Sequence, residues 1–283
     1  MTAPIWLPIG PGGRRLAGAP GPWFQYGDSI GFEWNTYELA IAGLPAALAG
    51  FRIVHLTDLH CRPGWQTAYD DLFDRLALHE PDLLVVTGDI VDDLHHPGRC
   101  VPTARRLLAG LHARLGVFGQ LGNHDRFLRP KALARTPLRL IDGQRVLLDA
   151  NGERLELIAT PGPMREDMGE SFRRSLPRPM AGVPRIILSH YPDHLRKLRR
   201  ARPDLFLAGH THGGQMCLPG RLPILRHDSY PWRLRAGVNR VGGTWLVVGR
   251  GLGFSTAPVR VFCPAEVIEI RLVPSEARGS GGR

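Results

Sequence analysis

Five short polar clusters punctuate this chain: Asp58-Leu59-His60, Gly88-Asp89, Gly122-Asn123-His124-Asp125, Ser189-His190 and Gly209-His210-Thr211-His212. Nearly every one closes an apolar run. Their aspartates, asparagine and histidines offer oxygen and imidazole ligands without thiolate. That set suits Mn²⁺, Fe or Zn²⁺ and not a structural zinc site, which draws on cysteine. The donors suffice for two ions with one aspartate shared between them. Two cations about 3.5–4 Å apart clamp the attacking and leaving oxygens of an in-line displacement, and they turn bound water into hydroxide near neutral pH. Asp-x-His or Gly-Asp alone says little, and Asn, His and Asp all suit ordinary turns. Gly-His-Thr-His-Gly-Gly is more specific, and all five clusters in one order make plain loops a poor explanation.

Residues so far apart meet only if the fold delivers them to one edge. In open α/β sheets the loops at the carboxyl ends of the strands form such a crevice. Phe51 to Leu56 is a short apolar run, followed by a helical pattern from about Trp65 to His79 with Leu72, Phe73 and Leu76 on one face. Leu83 to Val86 predicts a buried strand, Val101 to Leu115 a helix and Gly116 to Leu121 a further strand. This βαβαβ order calls for parallel strands with right-handed crossovers. Strands at 145–149, 154–160, 185–189, 204–208, 244–248 and 265–272, with one helix near 192–201, suggest a second sheet packed on the first. The glycines at 88, 122 and 209 let the backbone turn sharply where ligands are delivered. Residues 1–35, rich in Gly and Pro, predict an extended arm with Trp6, Trp23 and Phe24 as docking points. Residues 36–273 read as a single domain and 274–283 as a flexible tail.

As a set, TDLH at 57–60, GDIVD at 88–92, GNHD at 122–125, SH at 189–190 and GHTH at 209–212 resemble the calcineurin-like metallophosphoesterase superfamily. The resemblance covers about residues 36–273. HTHGGQ at 210–215, GLGFSTAPVRVFCPAEV at 251–267 and the strand YELAI are similar to its bacterial, membrane-associated phosphodiesterase-like branch, the YkuE and YaeI type. The fold implied is α/β, a four-layer α/β/β/α sandwich with two mixed β-sheets. The resemblance implies Asp58, His60 and His212 as ligands of one metal, Asn123, His190 and His210 as ligands of the other, and Asp89 as the bridge. It implies that His124 contacts the phosphate and protonates or assists the leaving oxygen, with Asp125 or another carboxylate orienting the imidazole. The implied activity is hydrolysis of a phosphodiester or pyrophosphate bond by in-line attack of a hydroxide bridging two divalent metal ions. The substrate would be a phosphate ester, including a nucleotide- or lipid-linked small molecule such as a UDP-diacylglucosamine. A phosphomonoesterase or nuclease is the alternative, and a non-catalytic metal-binding interaction module is the alternative of another class. Such a module would show gaps among the ligands, and here every expected position is filled.

Lysine and arginine outnumber aspartate and glutamate by 36 to 26, for a net charge of +10. A basic balance favours anionic partners such as nucleotides and phospholipid headgroups, although an arginine bias beside abundant Gly, Ala and Pro also follows from a GC-rich genome. Arg165, Arg173 and Arg174 lie in a segment that could overhang the crevice and grasp phosphate bidentately. The basic run Arg196 to Arg202 offers peripheral contact with an anionic membrane, or simply a solvated helix face. Nucleic acid fits less well, because no aromatic-studded basic groove is evident. Asp92 and Asp93, with His95 and His96, could support the metals from the loop after Asp89. His55 reads as packed within its strand, and His79, His112 and His194 as solvated helix residues. Cys61, Cys100, Cys217 and Cys263 form no CxxC pair, which fits a reducing compartment. The longest apolar stretch, Leu39 to Phe51, is broken by Pro45 and two glycines and falls short of a bilayer span. The expected location is cytoplasmic, either free or in peripheral contact with the inner membrane face.

Overall fold

Apolar runs of four or five residues become strands buried along their whole length, the pattern of sheets covered on both faces. The computed structural model describes residues 9, 12–162, 170–224, 231 and 234–275. In chain order the elements begin with β1 (Gly13–Ala19), β2 (Phe24–Tyr26), β3 (Glu33–Ile41), β4 (Arg52–Leu56), α1 (Thr67–His79) and β5 (Leu83–Thr87). Then come α2 (Val101–Ala109), β6 (Val117–Gln120), β7 (Leu138–Leu140), β8 (Arg145–Ala150), β9 (Glu153–Ala159) and α3 (Glu170–Ser175). They continue as β10 (Arg185–Leu188), α4 (His194–Leu198), β11 (Leu205–Ala208), β12 (Cys217–Leu218) and β13 (Leu222–Pro223). The last are β14 (Gly237–Val241), β15 (Thr244–Val248), β16 (Val259–Val261) and β17 (Glu266–Pro274).

The first sheet has seven strands in the order β1-β3-β17-β4-β5-β6-β7, and the second has six in the order β14-β15-β11-β10-β9-β8. Both are mixed. β4, β5, β6 and β7 run parallel, while β17 is antiparallel to β4 and parallel to β3. In the second sheet β9, β10, β11 and β15 are parallel, and β8 and β14 close the edges antiparallel. Ile53, Val85 and Phe118 of the first sheet pack against Leu157, Leu188 and Leu207 of the second in the core between them. α1 and α2 cover the outer face of the first sheet through Leu72, Leu76, Leu107 and Leu108. Leu195 and Leu198 of α4, with Phe172 of α3, cover the outer face of the second. The fold is therefore the four-layer α/β/β/α sandwich.

Some boundaries move for local reasons. α2 stops at Ala109 rather than Leu115, with Gly110, a poor helix former, as its C-cap. The expected helix near 192–201 divides into α4 and a 3₁₀ turn, Arg199–Ala201. The amino-terminal arm is a larger correction. β1 pairs antiparallel with β3 as an edge strand, and β2 pairs with β16. Edge strands keep one side in solvent and tolerate Arg and Gly, so β1 shows no clear alternation. Trp23 stacks on Phe262 with ring centroids 5.2 Å apart, whereas Trp6 lies outside the described residues, as do 276–283 of the expected tail. No helix among the described residues is long and apolar enough to cross a membrane.

Candidate metal centre

The polar clusters do leave carboxyl ends of parallel strands. Asp58 and His60 follow β4, Asp89 follows β5, and Asn123 and His124 follow β6. His190 follows β10 and His210 and His212 follow β11, so both sheets contribute. His212 Nε2 lies 3.3 Å from Asp58 Oδ1 and 3.1 Å from His60 Nε2. His190 Nε2 lies 3.0 Å from Asn123 Oδ1 and 3.2 Å from His210 Nδ1. Between the two groups stands Asp89, whose Oδ2 is 3.5 Å from His60 Nε2 and 3.3 Å from His190 Nε2.

The donor set fits two divalent ions. Two carboxylates, an amide oxygen and four imidazoles turn lone pairs on one another, an arrangement that is repulsive unless cations or protons lie among them. Ligand atoms of Asp58, His60 and His212 lie within 4.8 Å of one another, and so do those of Asp89, His190 and His210. The backbone is bent to achieve this. Asp58, His60, Asp89, His210 and His212 all have φ between 39° and 70°. Each such non-glycine residue costs on the order of 1–3 kcal/mol, which the surrounding structure must offset.

Neighbouring groups orient several of these candidate ligands. His190 Nδ1 lies 2.8 Å from the Thr87 carbonyl oxygen, so this nitrogen carries the proton and Nε2 presents a lone pair. Asp58 accepts the His210 N–H at 3.0 Å and the Thr57 hydroxyl at 2.6 Å. Asp89 Oδ1 accepts the His124 N–H at 2.8 Å. His60 Nδ1 is 3.1 Å from Asp92 Oδ1, which supports the expectation for Asp92. His95 and His96 are exposed and stay away from the cluster.

Burial works against ionisation of Asp58 and Asp89, but the surrounding imidazoles outweigh it and hold both carboxyls well below their ordinary range. Burial also opposes protonation of His190, yet Asp89 and Asp58 push that imidazole up to about 9, so a cation bound at Nε2 would displace a proton from it. Burial brings His210 down to about 3 and His212 down to about 4, favouring the neutral, ligating form of both rings.

A cavity of about 200 Å³ opens on the cluster and is lined by Asp89, Asn123, His124, His210 and His212. Gln215, Met216, Ser255, Thr256 and Ala257 complete much of its wall. His124 is half-buried at this wall, and its Nδ1 lies 2.9 Å from the carbonyl oxygen of Asp92.

Three expectations change here. Asp125 does not orient His124. It is fully buried and accepts the backbone N–H groups of Gly122, Ile90 and Val91 at 2.9–3.0 Å. Burial and the charge of Asp89 push its carboxyl up to about 7 against those three amides. Arg173 and Arg174 do not line the cavity at the cluster and instead face a separate cleft on the helical side of the second sheet; Arg165 lies outside the described residues. His194 is not solvated, being buried with Nδ1 3.0 Å from Ser189 Oγ.

Residues without a motif also shape the centre. Arg260 is fully buried, donates to the carbonyls of Arg250 and Gly251 at 2.8 and 3.1 Å, and brings Nη2 to 3.3 Å from His212 Nδ1. Tyr191 Oη lies 3.4 Å from Asn123 Oδ1. Neither stands out by sequence, because each acts through a contact made only in the folded chain.

Comparison with known proteins agrees with this geometry. The metallophosphoesterase YkuE of Bacillus subtilis is 28% identical over 266 residues, covering 90% of each chain. Phosphodiesterase YaeI of Escherichia coli is 29% identical over 238 residues, covering 80% of this chain and 83% of its own. A bovine transmembrane protein with a metallophosphoesterase domain is 26% identical over 84% of this chain, which spans 56% of that protein. The family model for calcineurin-like phosphoesterases matches residues 51–214, the span from the start of β4 through the Gly-His-Thr-His-Gly-Gly turn, and the chain belongs to that family.

Proposed function

We propose that the protein is a dinuclear metal-dependent phosphodiesterase, cleaving a phosphodiester or pyrophosphate bond by in-line displacement. The observation that carries this reading is the position of Asp89, one carboxylate within 3.5 Å of imidazoles from two separate donor groups. Asp58, His60 and His212 would hold one ion, Asn123, His190 and His210 the other, and Asp89 both. When bound, the ions supply Lewis-acid stabilisation of the phosphate and an activated water. His124 stands at the cavity wall with Nδ1 on the Asp92 carbonyl, so its Nε2 would give a proton to the leaving oxygen from the doubly protonated ring, which returns to the neutral Nδ1–H form.

Phosphodiesters are favoured over monoesters by the cavity itself. Its described wall holds no lysine or arginine and includes Met216 and Ala257. A dianionic monoester gains from an added cationic side chain, whereas a singly charged diester with two organic groups gains from neutral and apolar contacts. A nucleotide- or lipid-linked small molecule meets that description.

The test is hydrolysis of bis-p-nitrophenyl phosphate by metal-stripped protein resupplied with Mn²⁺, Fe²⁺ or Zn²⁺, in parallel with Asp89→Asn. Turnover should return with metal in the native chain and be absent in the variant, which should also bind less of both ions. Wild-type turnover by Asp89→Asn would refute the shared carboxylate. Absence of turnover with every ion would instead favour the non-catalytic module.

A further inference from the structure

Two cationic stretches distant in sequence meet on the outer, helical side of the second sheet. α3 and the segment after it supply Arg173, Arg174 and Arg178. α4 and the following 3₁₀ turn supply Arg196, Lys197, Arg199 and Arg200. Together they border one open cleft of about 620 Å³, with Leu176 and Leu198 among its apolar lining. Among the described residues the only acid in this lining is Glu170, and it pairs with Arg173 and with Arg174, the latter at 3.0 Å. The five remaining cations have no carboxylate partner among the described residues.

Exposed like charges gathered into one cleft repel one another, and an anion relieves that repulsion. Guanidinium forks approaching from two walls match the oxygens of phosphate, which accepts them bidentately. No aromatic side chain among the described residues lines the cleft, so stacked single-stranded bases find no platform there. The cleft shares no lining residue with the cavity at the metal cluster.

We propose that this cleft is a second anion site, which takes a multiply charged phosphate group independently of hydrolysis at the metal centre. Such a group comes either from a soluble polyphosphate or from the phosphomonoester headgroup of a lipid.

The experiment uses the full chain stripped of metal. Inorganic tripolyphosphate is titrated calorimetrically, and binding to phosphatidylcholine vesicles with phosphatidic acid or phosphatidylserine is followed by sedimentation. At least one phosphate probe should bind, weaken as salt is raised, and lose affinity by about tenfold or more in Arg196→Gln/Lys197→Gln/Arg200→Gln. Tripolyphosphate binding identifies the soluble source, and preference for phosphatidic acid over phosphatidylserine identifies the headgroup. If the triple variant melts below the native chain, Arg178→Gln/Arg199→Gln replaces it. Asp89→Asn should bind the probe normally, which separates this site from the catalytic reading. The proposal is overturned by unchanged affinity in the cleft variants, by loss in Asp89→Asn instead, or by equal binding to both acidic lipids without tripolyphosphate binding. Tighter binding of an RNA oligonucleotide than of tripolyphosphate, lost in the same cleft variants, would also overturn it.

Discussion

The Nδ1 atom of His124 lies 2.9 Å from the carbonyl oxygen of Asp92, in the loop that follows Asp89. A carbonyl can only accept, so His124 donates through Nδ1 and its other nitrogen is left to the substrate. The proposed proton donor is thus oriented by the backbone of the same loop that carries Asp89.

His124→Ala should therefore keep its metals and lose turnover. Removing a positioned general acid slows catalysis by about 10²- to 10⁴-fold. Metal analysis together with steady-state hydrolysis of a diester checks this. A variant that lost metal as well would show that His124 is a ligand, beside His60 and Asp89, whose ligand atoms lie within 4.8 Å of its own.

Asp125 acts on the loops rather than on substrate. Three buried amides, of Gly122, Ile90 and Val91, depend on it. Asp125→Ala should cost at least about 3 kcal/mol, because each of the three buried donors left without an acceptor costs about 1–3 kcal/mol. Urea unfolding measures the change. Native stability with slower catalysis would restore a direct catalytic role.

Gly209 is needed for space, not for a special turn. It is absent from the positive-φ residues, but a Cβ there would overlap Thr57 Oγ1 and Asp58 Oδ2. Gly209→Ala should push Asp58 aside, lower metal content at its site and destabilise the chain by about 1–3 kcal/mol. Full metal occupancy in the variant would show that the close approach is unimportant.

Behind the centre, Glu33 meets Arg250 Nη2 at 2.5 Å and Arg221 Nη2 at 2.7 Å. Burial raises its pKa, but the two guanidinium groups outweigh this and hold the carboxyl below its ordinary range. A folded pKa below the unfolded value, about 4.3, means the contribution is intact above that pH. It fades as pH falls towards the folded pKa. Glu33→Gln should weaken the chain at pH 7 and flatten the acid side of its stability profile. Unfolding curves of both proteins that stayed parallel from pH 7 to about 3 would contradict this.

Much of the architecture was legible from local sequence. The short apolar runs at Ile53–Leu56 and Leu83–Val86, each ending in polar residues, determined buried parallel strands with ligands at their carboxyl ends. Periodicity at Leu72 and Leu76 determined the buried face of α1, and residue types in five clusters determined a set of oxygen and imidazole donors without thiolate. Periodicity and residue chemistry are properties of neighbouring positions, so they need no third dimension.

Only the tertiary structure decided the rest. It made β1 an edge strand, because pairing with β3 supplies hydrogen bonds that no local pattern announces. It gave the imidazole of His124 to a carbonyl in another loop and turned Asp125 inwards to hold backbone amides. It set the buried Arg260 behind His212, and it joined the arginines after α3 to those of α4 in one cleft. Each of these depends on which distant segments share a surface, and that is settled by packing of the whole chain.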